Sequence, residues 1–418
     1  MTRLFAFAVV LMSVSLAATV RADPGYIEAR DVSVKAEVPT PAESLSFERL
    51  DKLVSHQGSA RFAKDRVISP PMTTPVRRMD PKQPSYQEAL TYTFLIHSMK
   101  FAKLARTDEG GLVLLASAQL QKSGRKMFVL FSDDDGQSWS QPRVLPDLSG
   151  RPRPVSLGGG RLMAYGGDVI YSDDGGLTWN DRVSQPLKLP DGKPTWSHGS
   201  MLVEDNELSV ISYSEGAAHG PTGWTAYSWL WRSRDAGRTW EKPIALPAQW
   251  CTSEGSVTRA QDGALVVSLR TAQAQSLPSY CDHWRRITTA RSMDKGLTWT
   301  DHQVHFRYGK THSKLLTLPN GDILLTYAAR MGELDDQLYH GIEAVLSHDD
   351  GKTWDWGHRF IIHRWAMHQS MHTPESVPLS DGRILTVFLY HYDAPWGEGS
   401  FDCSVVGITS AVIWSPYP

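Results

Sequence analysis

The octapeptide SDDGGLTW, residues 172–179, recurs in variant form as SDDDGQSW from Ser132, SRDAGRTW from Ser233, SMDKGLTW from Ser292 and SHDDGKTW from Ser347. All five fit S-x-D-x-G-x-[ST]-W. The copies follow apolar, β-rich runs such as MFVLF before Ser132, AYSWLW before Ser233 and IEAVL before Ser347. They also hold Asp and Gly, the residues that tolerate tight turns. The expected unit is a hairpin turn in which the Ser hydroxyl and Asp carboxylate accept backbone N–H bonds, Gly supplies a positive φ and Trp packs beneath. Such a turn serves architecture rather than chemistry.

A second, fainter repeat precedes the turns and reads as a strand, a polar turn and an apolar strand. It occurs six times: KFAKLARTDEGGLVLLASA, RPVSLGGGRLMAYGG, HGSMLVEDNELSVISYS, EGSVTRAQDGALVVSLR, HSKLLTLPNGDILLTYAAR and ESVPLSDGRILTVFLYH. The markers Gly111, Gly160, Asn206, Gly263, Gly321 and Gly382 are spaced by 49, 46, 57, 58 and 61 residues. Six units of about four short strands, without helical periodicity, predict an all-β chain folded as a six-bladed β-propeller. The sixth unit lacks the acidic turn, as expected where strands from both termini close a ring.

The start, MTRLFAFAVVLMSVSLAATVRADPG, reads as a secretory signal over residues 1–22 with cleavage near Ala22. Residues 23–85, rich in Pro and charge, form a lead-in, and residues 86–418 hold the propeller. No later stretch is long and apolar enough to predict a membrane span, so a secreted or periplasmic protein is expected. The net charge of −2 becomes −4 when residues 1–22, with two arginines and no acid, are removed. Nothing in that balance suggests nucleic acid. Cys251, Cys281 and Cys403 show no metal-ligand spacing, and a Cys251–Cys281 bridge is open. His363, His368 and His372 cluster in HRWAMHQSMH without a supporting acid, so neither metal nor cofactor is expected.

Five acidic turns in a six-unit β chain resemble the sialidase superfamily, where this turn is the Asp box or BNR repeat. The resemblance covers about residues 90–418. It implies a propeller that binds a sugar carboxylate through arginines and uses a Glu-oriented Tyr and an Asp in catalysis. EGSVTRAQDGALVVSLR is similar to the family's stretch carrying Glu and the second arginine, here Glu254 and Arg270. The first arginine's place holds Lys100, and Arg330 lies near that of the third. The nucleophile's place falls at about Thr373, with Glu375 two residues on, and no acid precedes the first acidic turn.

Innermost strands of a propeller begin near its axis, so the residues opening each unit converge on one face. That places Lys100, Arg153, His198, Glu254, His312 and Glu375 in a ring, with Arg270, Arg330 and His391 from the ends of second strands. Cations there suit an acidic sugar, and Glu254, Glu375 and His312 suit acid–base work. Glu254 and Glu375, two units apart, are expected to be held wide enough for a water, about 6.5–9.5 Å between carboxyls. Three functions remain open: a sialidase-type glycoside hydrolase acting on an acidic or terminal sugar, a polysaccharide lyase acting on uronates, and a glycan-binding propeller without catalysis. The aromatic stretches HGPTGWTAYSW and DAPWGEGSF offer stacking or packing surfaces.

Overall fold

The computed structural model describes residues 25–33, 72–94, 99–120, 124–145, 152–166, 168–184, 187–197, 199–205, 207–215, 226–271, 285–306, 308–334, 337–365, 369–392 and 407–417. Each acidic octapeptide closes the hairpin that follows a third strand, and all five copies fold alike. In the copy at Ser172, the Ser172 hydroxyl donates to Asp174 Oδ1 at 2.8 Å and accepts from the Gly176 N–H at 2.8 Å. The Thr178 N–H and hydroxyl then donate to the Asp174 carboxylate at 2.8 and 2.5 Å, and Trp179 Nε1 donates to the Gly176 carbonyl at 2.9 Å. Ser132, Ser233, Ser292 and Ser347 repeat the Ser, Asp and Gly bonds through Asp134, Asp235, Asp294 and Asp349, while the indole bond recurs only at Trp139, the Nε1 atoms of Trp240, Trp299 and Trp354 making none. Gly136, Gly176, Gly237, Gly296 and Gly351 all have φ between 80° and 95°, a region closed to most side chains.

Twenty-seven strands and two short 3-10 turns make up the described secondary structure, in a propeller-like arrangement of antiparallel sheets. After β1 (Ile27–Glu28), β2 (Arg30–Asp31), β3 (Met72–Arg78) and β4 (Ser85–Phe94), the chain lays down its sheets in sequence order. The first runs through β5 (Met99–Arg106), β6 (Leu112–Leu120), β7 (Gly124–Ser132) and β8 (Arg143–Leu145). The second comprises β9 (Arg153–Gly158), β10 (Arg161–Tyr165), β11 (Val169–Ser172) and β12 (Asn180–Val183). The third holds β13 (Met201–Glu204), β14 (Glu207–Glu215), β15 (Ala226–Ser233) and β16 (Ile244–Ala245), with β1 added parallel to β16. The fourth holds β17 (Thr252–Arg259), β18 (Leu265–Thr271), β19 (Arg286–Ser292) and β20 (Thr298–His305), with β2 parallel to β20.

The remaining strands are β21 (Lys310–Thr317), β22 (Ile323–Leu334), β23 (Gln337–Ser347), β24 (Phe360–Trp365), β25 (Gln369–Pro378), β26 (Ile384–Tyr392) and β27 (Gly407–Trp414). They join one nine-stranded sheet in the order β21-β22-β23-β24-β3-β4-β27-β26-β25. The lead-in therefore contributes to the sheets: β1 and β2 edge two of them, and the β3–β4 hairpin bridges β24 to β27.

Apolar residues of successive sheets interdigitate into buried clusters, such as Leu114, Leu130, Leu385 and Ile413 between the first sheet and the end of the last. Interior packing of this kind is the dominant favourable term. Gly199, just ahead of β13, packs against β17: a Cβ there would lie 1.3 Å from the Gly255 carbonyl oxygen, so only glycine fits. Inner strands begin, and second strands end, at the end of the molecule opposite the acidic turns. The expected site falls at that end. Among the described residues no helix is long and apolar enough to cross a membrane.

Candidate functional site

Four inner strands share one interruption. Pairing with the second strand jumps between Lys100 and Lys103, between Ser253 and Ser256, between Thr311 and Lys314, and between His372 and Glu375. At the last three bulges one non-glycine residue is left-handed: Glu254 (φ 44°), His312 (φ 53°) and Thr373 (φ 42°). Bulges re-aim side chains, and backbone held in this region concentrates at functional sites.

The bulges bring two of those side chains together. His312 Nδ1 lies 2.8 Å from Glu254 Oε2, an ion-pair distance rather than an aligned hydrogen bond. Arg270 Nη1 approaches the same oxygen at 3.3 Å, while its Nε donates to the Ser253 hydroxyl at 3.1 Å. Arg330 Nη2 lies 3.3 Å from His312 Nε2. A guanidinium has no acceptor, so a hydrogen bond there can run only from Arg330 to the imidazole nitrogen. Glu254, Arg270, His312 and Arg330 are 6%, 8%, 4% and 2% exposed, which strengthens each interaction relative to water.

A second layer lies two residues further along the inner strands. Lys103, Arg153, Ser256, Lys314 and Glu375 pair with Leu115, Tyr165, Ser268, Thr326 and Val387, five equivalent places on the second strands. Ser200, just ahead of β13, contacts the Ser256 hydroxyl and completes the layer. Lys103 Nζ donates to Glu375 Oε1 at 2.6 Å, and Arg153 grips both oxygens of that carboxylate, with Nη2 at 2.7 Å from Oε1 and Nη1 on Oε2. Burial alone would raise the Glu375 pKa, but the charges of Arg153, Lys103 and Lys314 outweigh it and hold the value at about 2. Burial pushes the Lys314 amine well down, opposed by Glu375 and Glu254.

Glu254 and Glu375 therefore do not stand at equivalent positions. The residue equivalent to Glu254 in the last sheet is Thr373, and Glu375 sits in the deeper layer with both oxygens engaged. A carboxyl held at about pKa 2 is a poor proton donor near neutrality. Of the expected ring, the structure brings together Glu254, Arg270, His312 and Arg330 in one cluster and Arg153 with Glu375 in another. Lys100 and His391 lie on β5 and β26, but their side chains, like the whole of His198, fall outside the described residues.

Lys103, Lys314, Ser200 and Ser256 were missed by the sequence reading, although a regular count would have found most of them. Ser256, Lys314 and Glu375 each precede a turn glycine, Gly263, Gly321 and Gly382, by seven residues, whereas Glu254, His312 and Thr373 precede it by nine.

Burial lowers the His363 pKa to about 4, and the His368 and His372 side chains lie outside the described residues. Among the described residues no group of three His, Cys, Asp or Glu could hold a metal ion. Cys281 and Cys403 lie outside them, as do Trp224 and the whole of DAPWGEGSF, while Trp229 is buried with its Nε1 donating to the Ser214 hydroxyl at 3.0 Å. A cleft lined by Arg106, Glu109, Asp133, Asp135, Gln137 and Ser380 opens beside the first acidic turn, at the end away from Glu254. Its wall is closed by the Arg106–Asp135 ion pair at 3.0 Å, which suits a groove between sheets.

The BNR/Asp-box repeat family matches residues 170–181. A search of curated proteins gives no match. Among solved structures, a protein of unknown function from Dyadobacter fermentans is similar over 82% of this chain and 99% of its own, at 18% identity and TM-score 0.56. The GH93 α-L-arabinofuranosidase of Fusarium graminearum with arabinobiose is similar over 83% of this chain and 98% of its own, at 13% identity and TM-score 0.53. A mutant Trypanosoma rangeli sialidase displaying trans-sialidase activity is similar over 84% of this chain and 60% of its own, at 14% identity and TM-score 0.46. The acidic turns, the repeat match and the shared fold agree: this chain carries the BNR/Asp-box repeat at residues 170–181 on a propeller-like β fold.

Proposed function

We propose that the protein is an exported, six-bladed glycoside hydrolase acting on an acidic or terminal sugar. Glu254 and His312 would move the protons, and Arg270 and Arg330 would face the acidic group of the sugar. The observation that carries this reading is the meeting of Glu254, Arg270, His312 and Arg330 at one end of the inner strands, on left-handed backbone. Glycosidic cleavage needs one group to protonate the leaving oxygen and another to activate water or to stabilise the sugar cation. A carboxylate and an imidazole 2.8 Å apart suit that exchange. Glu375, expected as the second catalytic carboxylate, is better assigned as the counter-ion of the deeper layer.

The blade count rests on six inner strands, β5, β9, β13, β17, β21 and β25, and on reading the nine-stranded sheet as two blades joined through β3. The five acidic turns would then all be Asp boxes. Export rests on the apolar run ahead of Ala22 and is tested by N-terminal sequencing of exported protein, expected to begin near Asp23. Material that retains Met1 in the cytoplasm would refute it.

One observation favours a second reading. An imidazole held by a carboxylate beside two guanidiniums also suits abstraction of the proton next to a uronate carboxylate, the first step of a lyase. The two are separated by incubating the protein with sialyllactose, arabinobiose and polygalacturonate. Reducing sugar without a new unsaturated-uronate absorbance supports hydrolysis, the absorbance supports elimination, and binding without either product supports a non-catalytic propeller. Glu254→Gln should lower turnover by roughly 100-fold or more with little change in binding. Full turnover in that variant removes Glu254 from the machinery.

A further inference from the structure

We propose that Trp196 is a sugar-stacking platform beside the site, holding the ring next to the one that Glu254 and His312 engage. The proposal rests on the glycan-acting reading above and adds a binding position to it. Trp196 is 47% exposed, whereas Trp179, Trp229, Trp231, Trp250, Trp299, Trp354 and Trp414 are buried. Among tryptophans with described side chains, it alone is more than a third exposed. Leaving so large an apolar face in water forgoes the burial that the other indoles obtain and leaves a flat, amphipathic ring open to a ligand.

Its place is tied to the site by register. Tyr213 stands five residues after Leu208, and Arg270 stands five after Leu265. Leu208 and Leu265 each pair with the serine of an acidic turn, Ser233 and Ser292. Tyr213 thus holds, one sheet away, the level that Arg270 holds beside Glu254. Trp196 is bound to that residue in both directions, its N–H donating to the Tyr213 carbonyl at 2.9 Å and its carbonyl accepting from the Tyr213 N–H at 2.8 Å. The two rings lie 6.1 Å apart at 44°. Ser253, the neighbour of Glu254, pairs with Arg270, so Trp196 stands level with the Glu254 bulge on the neighbouring sheet, and the two inner segments touch through the Ser200 and Ser256 hydroxyls.

The chemistry follows from the ring. An indole offers a flat, electron-rich face to the C–H edges of a sugar, and Trp196 has both backbone polar groups engaged, so little ordering is needed on binding. It adds reach and chain-length preference without touching the bond that is cleaved.

The test is calorimetric titration in the Glu254→Gln background, using sialyllactose, arabinobiose and digalacturonate beside N-acetylneuraminic acid, arabinose and galacturonic acid. Trp196→Ala should weaken the longer ligand that binds by roughly 10-fold and leave the corresponding monosaccharide unchanged, while Trp196→Tyr should retain most of the affinity. Thermal melts of both variants check folding. Equal affinity for the longer ligand in Trp196→Ala overturns the platform and leaves the glycan-acting reading standing. Binding of none of the six sugars in the Glu254→Gln background overturns both.

Discussion

Glu375→Gln should unsettle the molecule without disabling its chemistry. The substitution keeps the shape of the side chain but removes the charge that Arg153 and Lys103 grip at 2.7 and 2.6 Å, with Lys314 close by. The folded-state pKa of about 2 lies below the ordinary value of 4.5. The carboxylate therefore contributes stability that is full above pH 4.5 and fades as the pH falls toward 2. At about 1.4 kcal/mol per pH unit, the gap corresponds to about 3 kcal/mol, in line with the cost of breaking a buried ion pair. The assay is urea unfolding of parent and variant between pH 3 and pH 7, with turnover measured on the folded fraction. The expected result is a difference of about 3 kcal/mol at pH 7 that shrinks below pH 4.5, with turnover per folded molecule within a few-fold of the parent. A variant as stable as the parent but inactive would refute the reasoning and return Glu375 to the catalytic machinery.

Two further substitutions separate architecture from binding. Asp294→Ala removes the acceptor of three hydrogen bonds, from Ser292 at 2.9 Å and from the Thr298 N–H and hydroxyl at 2.8 and 2.6 Å. It should lower stability by about 1–3 kcal/mol while leaving ligand affinity unchanged, and weaker binding at unchanged stability would show that the turn does more than shape the chain. Arg270→Lys keeps the charge beside Glu254 but loses the planar fork, so an acidic ligand should bind weaker by roughly 1–3 kcal/mol in calorimetry. Unchanged affinity would mean that Arg270 does not face the ligand.

The octapeptides carry most of the fold on their own. A Ser, an Asp and a Gly at fixed offsets can satisfy only one turn, so five copies declare five hairpins and the spacing of the sheets. Glu254 and Arg270 were equally legible, since residues facing each other across one hairpin keep a constant separation in sequence. Legibility failed at the bulges. The strings EGSV and ESVP invite Glu254 and Glu375 to be aligned, yet Glu254 lies nine residues before its turn glycine, inside the bulge, and Glu375 seven before its own, just past the bulge. Lys103 and Lys314 escaped for a related reason. Both lie in apolar strand runs, KFAKLAR and HSKLLT, where a lysine looks like a solvated outward residue until a carboxylate from another sheet meets it. The lead-in offered no repeat at all, and β1 and β2 are two-residue strands that borrow their partners from sheets more than 200 residues away.

The seam at β27 sets an order on synthesis. β27 pairs on one side with β26, which precedes it closely in the chain, and on the other with β4, so that Thr91 donates to Ala411 across 320 residues. The Gln87 side-chain amide fastens the same seam, donating to the Ser415 carbonyl and accepting from the Ser415 N–H, both at 2.7 Å. A growing chain therefore makes the ten-residue β4, with Tyr92 and Phe94 on it, and its hairpin partner β3 long before its second neighbour exists. Until residue 407 is made, that strand presents an open apolar edge, the kind of surface that recruits other chains. A prematurely ended chain would keep its earlier hairpins and still lack the partner for that edge, so its expected fate is aggregation or proteolysis rather than a smaller working propeller.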